Sequence, residues 1–244
     1  MPAQVLEIEE IIAKSEQGMQ TPYKCRAEDG KLYYVKGRQT SRASLWHEWI
    51  GACLGKSFGL MVPPFALVNI SEEILAEVVP GWRDLGAGIA FGSEYHPTAA
   101  WLEPSMRNLV PHTVQRDVLV FDWWIHNADR GAGNTNLLWD TAEKKLVVID
   151  HNMAFDEEFS ANSFLTEHIF AERWQEVSND IHTQATYAQR LSDTLLASFD
   201  IACDTIPPEW HWANPECDIP ARINLNAIRA LLSRCETAEL WRTV

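Results

Sequence analysis

The feature that most constrains the fold is a predicted buried helix that leads directly into a polar loop. In this chain of 244 residues, residues 110–125 are apolar on most sides of a helix, which predicts a helix inside a core. Residues 126–135 are polar and contain glycine, which is typical of a loop. Two short apolar runs, 136–139 and 146–149, then predict a pair of strands. Asp150 directly follows the second run, so we expect its carboxylate to face a cleft.

The chain before this feature has a different pattern. Short strand-like runs surround one amphipathic helix predicted at 45–54, and they lie at 22–26, 31–36, 65–70 and 74–79. The dipeptide Asp29-Gly30 indicates a tight hairpin between the first two runs. Residues 1–14 carry apolar side chains at helical spacing, so we expect a further helix there.

These patterns predict an α+β chain of two parts. Segment 1–95 is rich in strands and contains one main helix, whereas most of segment 96–244 has helical spacing and includes the polar loop. We expect the hinge between the two parts near residues 93–97.

The net charge of −14 excludes several classes of partner. With 34 acidic and 20 basic residues, the chain repels nucleic-acid phosphates and anionic membrane surfaces, so binding to either is disfavoured. A small phosphate-bearing ligand stays compatible, because one lysine or a bound Mg²⁺ can reverse the potential inside a cleft.

Several features predict a cytoplasmic location. The five cysteines include no Cys-x-x-Cys pair, which favours reduced thiols. The first residues lack the basic and apolar regions of a signal peptide, and no apolar run approaches the roughly 20 residues of a membrane helix. We therefore expect no membrane anchor.

Three side chains in and after the polar loop supply the groups that phosphoryl transfer requires. A carboxylate must orient the attacking hydroxyl, and Mg²⁺ needs one or two carboxylates together with an amide oxygen, phosphates and water. Asp129, Asn134 and Asp150 provide this set. Asn134 follows Asp129 by five residues, which is the interval between base and metal ligand in the kinase catalytic loop.

The positive partner for the phosphates is expected from the strand-rich segment. Lys36 ends a predicted strand, and Glu48 lies in the middle of the predicted helix, where it can pair with Lys36 and fix its rotamer. Gly18 lies in the approach to the strand predicted at 22–26 and can let the backbone approach phosphates.

Each of these residues has a simpler interpretation. An Asp-x₄-Asn pair is commonly an Asx turn, Lys36 alone is commonly a solvated strand residue, and Asp150 alone fits a turn. The preceding buried helix and the following strand together favour the functional interpretation. No Gly-x-Ser-x-Gly motif and no dinucleotide-binding glycine motif supports a hydrolase or a Rossmann domain.

The polar neighbours of these residues are interpreted more simply. Asn127 and Arg130 either contact the site or make structural hydrogen bonds, and the sequence does not decide between the two. Asn136 is expected to anchor the loop, with a metal contact as the other option. His126 and His151 are expected to be polar filling residues, because no His-x-His or His-x₃-His pair is present.

The order of motifs resembles that of the HipA-like kinases, specifically the short members without the extra N-terminal subdomain. The resemblance covers about residues 15–155. Its motifs are Thr21-Pro22, Tyr34-Val35-Lys36, Glu48-Trp49-Ile50-Gly51, Val62-Pro63-Pro64, Ala90-Phe91-Gly92-Ser93, Asn127-Ala128-Asp129-Arg130 with Asn134, and Ile149-Asp150-His151. The catalytic segment is also similar to that of type II phosphatidylinositol 4-kinases, which carry a comparable Asn-x-Asp-Arg-Gly run.

The resemblance implies a two-lobed protein-kinase-like fold, with a small antiparallel-sheet lobe at 1–95 and a larger helical lobe at 96–244. It implies ATP and Mg²⁺ as cofactors, Asp129 as catalytic base, Asn134 and Asp150 as metal ligands, and Lys36 as the phosphate-binding lysine. Glu48 and Gly18 complete the nucleotide site. The expected acceptor is a hydroxyl of a protein Ser or Thr.

The alternatives are a lipid or small-molecule kinase and a catalytically silent nucleotide-binding module. The His-Arg-Asp, Asp-Phe-Gly and Ala-Pro-Glu motifs of ordinary protein kinases are missing. Some members of the family are toxins, and some are silenced by phosphorylation of a serine in the phosphate loop, for which Ser15 is the candidate here. Toxicity and an antitoxin-type protein partner stay open.

Overall fold

The structure is a computed structural model that describes residues 5–15 and 21–242. It is a mixed α+β structure that divides into two compact units. The first unit consists of the chain up to Trp49, Pro63–Pro97 and Thr205–Ile223. The second consists of Ile50–Val62, Thr98–Asp204 and the chain from Asn224 onward. Each unit is therefore made of several separate segments of the chain. The predicted lobes 1–95 and 96–244 are continuous segments, and this division of the chain stays a prediction.

The first unit is built on a five-stranded barrel. Its strands are β1 (Val5–Lys14), β2 (Tyr23–Ala27), β3 (Leu32–Lys36), β4 (Phe65–Ile70) and β5 (Gly88–Glu94). The barrel closes in the order β1-β2-β3-β5-β4. Strands β1 and β4 pair in parallel, and the other neighbouring pairs are antiparallel. The predicted hairpin between β2 and β3 is confirmed, and Gly30 takes the left-handed φ of 77° that its turn requires.

The helix predicted over residues 1–14 is wrong, because the described part of that segment is strand β1. Its register with β2 shifts between Ile8 and Glu10 and again between Ile11 and Ala13. The shifts place Ile8 and Ile11 in the core although they are three residues apart. Irregular strand pairing therefore produced a spacing that imitates a helix.

Helices account for the other described elements of the first unit. Helix α1 (Arg42–Phe58) is longer than predicted, and its residues are divided between the two units after Trp49. Helix α2 (Glu72–Glu77) replaces the strand predicted at 74–79, because the Ser71 hydroxyl accepts a hydrogen bond from the Ile74 N–H and caps a helix. A 3₁₀ helix at Pro80–Leu85 follows.

A late segment of the chain, Thr205–Ile223, belongs to the first unit and contains the 3₁₀ helix Pro208–His211. Trp210 is fully buried, and its indole N–H donates to the Ile89 carbonyl over 2.9 Å. The Trp46 indole N–H donates in turn to the Trp210 carbonyl over 3.0 Å. These bonds explain why a segment so distant in sequence packs with the barrel.

The second unit combines a three-stranded sheet with helices. The strands run in the order β6 (Ala99–Trp101), β7 (Leu137–Asp140) and β8 (Lys145–Val148), and all pair antiparallel. The helices are α3 (His112–Trp124), α4 (Ala161–Glu167), α5 (Trp174–Ser178), α6 (Ile181–Asp204) and α7 (Leu225–Leu232). Short 3₁₀ helices occupy Pro104–Leu109, Ala171–Arg173, Ser233–Glu236 and Ala238–Trp241.

The buried helix predicted before the polar loop is confirmed as α3. Its last turn carries Trp123 and Trp124, whose indole N–H groups donate to the carbonyls of Leu240 and Leu232 over 2.5 and 2.7 Å. The C-terminal residues therefore fix the end of α3, where the polar loop begins. Across the described ranges, no helix combines the length and apolar character needed to cross a membrane.

Candidate active site

The polar loop and the Asp150 segment both depend on unusual backbone conformations. Three non-glycine residues, His126, Asn136 and Asp150, have left-handed φ values of 52°, 47° and 60°. Such a conformation costs of order 1–3 kcal/mol and persists only where the surrounding structure holds it. His, Asn and Asp are the residue types that tolerate it best.

Arg130 is the side chain that holds these segments. It is fully buried, and its Nη1 donates to the carbonyls of Asn136 and Ile149 over 2.5 and 2.7 Å. Its Nη2 lies 3.4 Å from the carbonyl of Asp150. One guanidinium therefore joins the end of the polar loop to the segment that carries Asp150. Of the two interpretations that the sequence left open for Arg130, the structure supports structural hydrogen bonding.

Asp122, in α3, supplies the counter-charge. Its carboxylate accepts hydrogen bonds from Arg130 Nε at 2.8 Å, Asn127 Nδ2 at 3.0 Å and His168 Nε2 at 3.2 Å. Burial alone raises the pKa of this carboxyl, but Arg130 and the hydrogen bond from His168 outweigh burial and hold the pKa below its usual value. Asp122 is therefore ionised.

His168 takes part as a neutral donor. Burial lowers the pKa of its imidazole more than Asp122 raises it. The N–H of Phe170 donates to His168 Nδ1 over 3.1 Å, so the ring proton lies on Nε2 and faces Asp122. Sequence reasoning missed Asp122 and His168. An acidic residue inside a buried helix was the available signal for Asp122, whereas nothing in the sequence marks His168.

Asp129 is half-buried, and both of its nearest amides bind the same oxygen. Asn136 Nδ2 lies 2.9 Å from Asp129 Oδ2, and Asn134 Nδ2 lies 3.4 Å from it. Burial raises the pKa of the Asp129 carboxyl, the negative charge of Asp150 adds to this, and the two amides only partly offset it. The structure thus brings Asp129, Asn134 and Asp150 together in one part of the second unit.

The carboxylate and amide oxygens in this part of the second unit are suitable ligands for a hard divalent cation. Asp129 and Asp150 are close enough for each charge to disfavour the other, and a cation beside them would relieve that repulsion. Within the described ranges, no group of three or more His, Cys, Asp and Glu side chains could hold a metal. Mg²⁺ needs only one or two carboxylates and completes its shell with amide, phosphate and water oxygens, so Asn134 and Asp150 fit its requirements.

Gly51 explains how α1 passes close to the Asp150 segment within the second unit. A Cβ at Gly51 would lie 2.5 Å from the Cβ of His151, which is closer than side chains tolerate. His151 is 1% exposed, in agreement with its expected role as a polar filling residue. His126 also packs as expected, because its ring stacks on Phe159 at 4.1 Å. Burial lowers the His126 pKa to about 4 and keeps this ring neutral.

The predicted pair of Lys36 and Glu48 is present in the first unit. Lys36 Nζ lies 2.7 Å from Glu48 Oε2, and the two residues are only 8% and 3% exposed. The next residue, Gly37, has no room for a side chain, because a Cβ there would lie 2.4 Å from the Leu85 carbonyl oxygen. The role of Lys36 as a phosphate ligand stays a prediction. Gly18 lies outside the described residues.

The profile of the HipA-like kinase family matches residues 8–244. The chain belongs to this family and is a phosphotransferase. The match extends well beyond residues 15–155, which carry the motifs of the sequence resemblance. A comparison with curated proteins found no significant match.

Solved kinase structures resemble this family member. The Helicobacter pylori proinflammatory kinase CtkA is 13% identical with a TM-score of 0.51, and the alignment covers 96% of this chain and 95% of that one. At this identity the likeness shows a shared kinase-like fold.

A Golgi casein kinase is more distant. It is 12% identical with a TM-score of 0.43, and the alignment covers 96% of this chain and 71% of that one. The same kinase with Mn/ADP bound is 13% identical with a TM-score of 0.45, and coverage is 100% of this chain and 74% of that one. Neither likeness is close enough to bear on function.

The Asp122–Arg130 pair makes a testable contribution to stability. Asp122→Asn leaves a buried guanidinium without its counter-charge, so we expect a loss of about 3–5 kcal/mol in the free energy of unfolding. Urea denaturation followed by circular dichroism measures this loss. Glu172→Gln is the matched control, because the Glu172 pair with Arg107 on the same unit is exposed and should contribute less than about 1 kcal/mol. Equal losses in the two variants would contradict the account.

Proposed function

We propose that this HipA-like kinase transfers the γ-phosphate of Mg²⁺-bound ATP to a hydroxyl group, with a Ser or Thr of a protein as the acceptor. The observation that carries the proposal is the Asp129 carboxylate, half-buried beside Asp150, with its pKa raised and its Oδ2 bound by two amides. A carboxyl group with a raised pKa is a better proton acceptor than an ordinary surface aspartate.

Asp129 acts as the general base in this proposal. The acceptor oxygen bonds to the γ-phosphorus while the bond from that phosphorus to the β–γ bridging oxygen breaks, ADP leaves, and the hydroxyl proton passes to Asp129. Asn134 and Asp150 would hold the metal, which would neutralise charge on the phosphates. Lys36, kept in place by Glu48, binds phosphate oxygens. Most of the rate enhancement then comes from positioning and charge stabilisation.

The proposal includes the organisation of the chain and its location. We propose that segments 1–95 and 96–244 form the two lobes of the kinase and that the protein is located in the cytoplasm. The five cysteines carry free thiols in the described chain, which supports a reducing compartment. The charge of −14 favours a protein acceptor over a lipid headgroup.

Asp129→Asn tests the assignment of the base. The amide cannot accept the hydroxyl proton, so we expect kcat to fall about 100- to 10,000-fold while the melting temperature stays within a few degrees of wild type. The assay is transfer of labelled γ-phosphate to proteins of a cell lysate, with phosphoinositides and small alcohols as parallel acceptors.

Glu143→Gln is the control for this assay, since Glu143 lies exposed in the β7–β8 turn and, among the described residues, forms an ion pair only with Lys145, at 3.5 Å. Its kcat should equal that of wild type. Unchanged turnover in Asp129→Asn would remove Asp129 from the role of base. Labelling confined to the lipids or the alcohols would replace the protein acceptor by that class.

Asp150→Asn tests the assignment of the metal ligand. Asparagine tolerates the left-handed φ of Asp150, so the backbone is retained while one charge is lost. A ligand that binds the folded state at 100 times its Kd stabilises it by about 2.7 kcal/mol. We expect most of the thermal stabilisation by Mg-ATP to disappear in the variant, and the measurement is differential scanning fluorimetry with and without EDTA. A full EDTA-sensitive shift in Asp150→Asn would contradict the assignment.

A further inference from the structure

Two arginines without an ion-pair partner lie where β3 leads into α1. Arg38 is exposed, and Arg42 is the partly buried first residue of the helix. Neither guanidinium forms an ion pair with a described residue. In a chain with a net charge of −14, acidic partners are abundant, so two neighbouring arginines without one are unexpected. The pair gives this part of the first unit a local positive charge.

Arg42 is held by one hydrogen bond that leaves most of its guanidinium unused. Its Nε donates to the Trp212 carbonyl over 3.2 Å. Its Nη1 is buried and has no hydrogen-bond partner in the described chain. Burial and the charge of Arg38 lower the pKa of Arg42, and the charge of Glu209 does not offset them. An arginine keeps its proton in proteins, so one of its charged N–H groups is buried without an acceptor.

Gln39 has a second buried donor without an acceptor. Its Oε1 accepts a hydrogen bond from the Gly37 N–H over 2.8 Å. An N–H only donates, so this bond fixes the orientation of the amide and leaves its NH₂ end for another partner. Nε2 is buried and has no partner among the described residues. Buried donors are nearly always hydrogen-bonded, so Gln39 Nε2 and Arg42 Nη1 together indicate an acceptor supplied by another molecule.

Arg38 is positioned by its backbone and by a close packing contact. Its N–H donates to the Leu85 carbonyl over 2.7 Å. Its side chain crosses Gly86 so closely that a Cβ on that glycine would lie 2.5 Å from Arg38 Cδ. The charges of Arg38 and Arg42 act on each other. The turn from β3 to α1 therefore brings two cations and an amide into one part of the first unit.

The acidic residues on neighbouring segments do not neutralise this charge. Asp84, in the adjacent 3₁₀ helix, is bound by Lys14 at 2.7 Å and by the Tyr23 hydroxyl. Glu209 acts on Arg42 through its charge without forming an ion pair with it among the described residues.

We propose that Arg38, Gln39 and Arg42 form a binding site for a phosphate group with two negative charges. Two guanidinium groups match that charge, and their N–H groups form strong bonds to phosphate oxygens. The Gln39 amide supplies a further donor. A carboxylate has one charge and two oxygens, so it would leave part of the charge unmatched.

The phosphate belongs either to a phosphorylated protein side chain or to a small phosphate compound. A kinase that acts on Ser or Thr produces the first, so we favour a phosphorylated protein side chain as the source. This choice of source rests on the proposed function, whereas the site itself does not.

Isothermal titration calorimetry of the full chain tests the site, with EDTA present and nucleotide absent so that no transfer occurs. The probes are a short alanine-flanked phosphoserine peptide, the same peptide with serine or glutamate, and inorganic phosphate. We expect the phosphoserine peptide to bind at least about tenfold more tightly than the serine and glutamate forms. Equal binding of the glutamate form, or no binding of either phosphate probe, would overturn the inference.

The same titrations separate the two sources of phosphate. Tighter binding of the phosphoserine peptide than of inorganic phosphate supports the protein side chain. Equal or tighter binding of inorganic phosphate supports the site and assigns it to a small phosphate compound.

Arg38→Gln tests the residues directly. Arg38 is exposed, so the variant should fold, and its affinity for the phosphoserine peptide should fall at least about fivefold. Arg42→Lys keeps the charge but lacks the planar fork, so its affinity should fall at least about threefold. Arg26→Gln is the matched control, because Arg26 is a partly exposed arginine of the same unit that pairs with Glu10 at 3.3 Å. Its affinity should stay within about twofold of wild type.

Two results with these variants would overturn the inference. Equal losses in Arg38→Gln and Arg26→Gln would indicate attraction by general charge. Wild-type affinity in both Arg38→Gln and Arg42→Lys would place the phosphate elsewhere. If Arg38→Gln fails to fold, Arg42→Lys decides between these results by itself.

A non-hydrolysable ATP analogue with Mg²⁺ separates this site from the nucleotide site, since Lys36 lies two residues before Arg38. The inference requires the analogue and the phosphoserine peptide to bind at the same time, so the affinity for the peptide should change by less than about twofold. Competition between them would place the arginines in the nucleotide site and overturn the inference.

The site and the proposed function fail in different ways, because binding needs no turnover. A protein that binds phosphate through Arg38 but transfers none contradicts the proposed function alone. An active kinase that binds neither phosphate probe contradicts the site alone.

Discussion

The buried ion pair between Arg130 and Asp122 is the interaction on which the geometry of the second unit depends. A charged guanidinium inside a protein is stable only when its hydrogen bonds are satisfied. Here the carboxylate of Asp122 supplies the charge, and main-chain oxygens of the polar loop and the Asp150 segment accept the other bonds. The arginine thereby connects helix α3 to the polar loop and to the Asp150 segment, and both of these segments are irregular.

This arrangement explains why strained backbone and repelling charges occur together. Asn136 and Asp150 adopt left-handed conformations, and their carbonyls are the groups that Arg130 binds or approaches. The same segments bring Asp150 near Asp129, whose pKa is raised by burial and by that neighbouring charge. Rigid support at the loop ends is what keeps two carboxylates close, and closeness of carboxylates suits binding of a cation.

The sequence indicated that Asp129, Asn134 and Asp150 lie together, but it did not indicate Asp122 and His168, which support them. Spacing placed Asp129, Asn134 and Asp150 on one loop and one strand end because those relations are short in sequence. The network from Asp122 to His168 spans 46 positions and has no periodic signal. Hydrophobic periodicity also could not predict two features of the fold. Strand β1 has two register shifts that give it a helix-like spacing, and the distant segment Thr205–Ile223 packs with the barrel.

In the proposed function Asn134 and Asp150 hold the metal and Asp129 acts as the base, so Asp129 is expected not to coordinate the metal. A crystal structure with Mg²⁺ and a non-hydrolysable ATP analogue measures this directly. The account predicts the metal about 2.0–2.1 Å from one oxygen each of Asn134 and Asp150, with Asp129 still bound to Asn136. A metal bound by other residues, or one coordinated by Asp129, would contradict it.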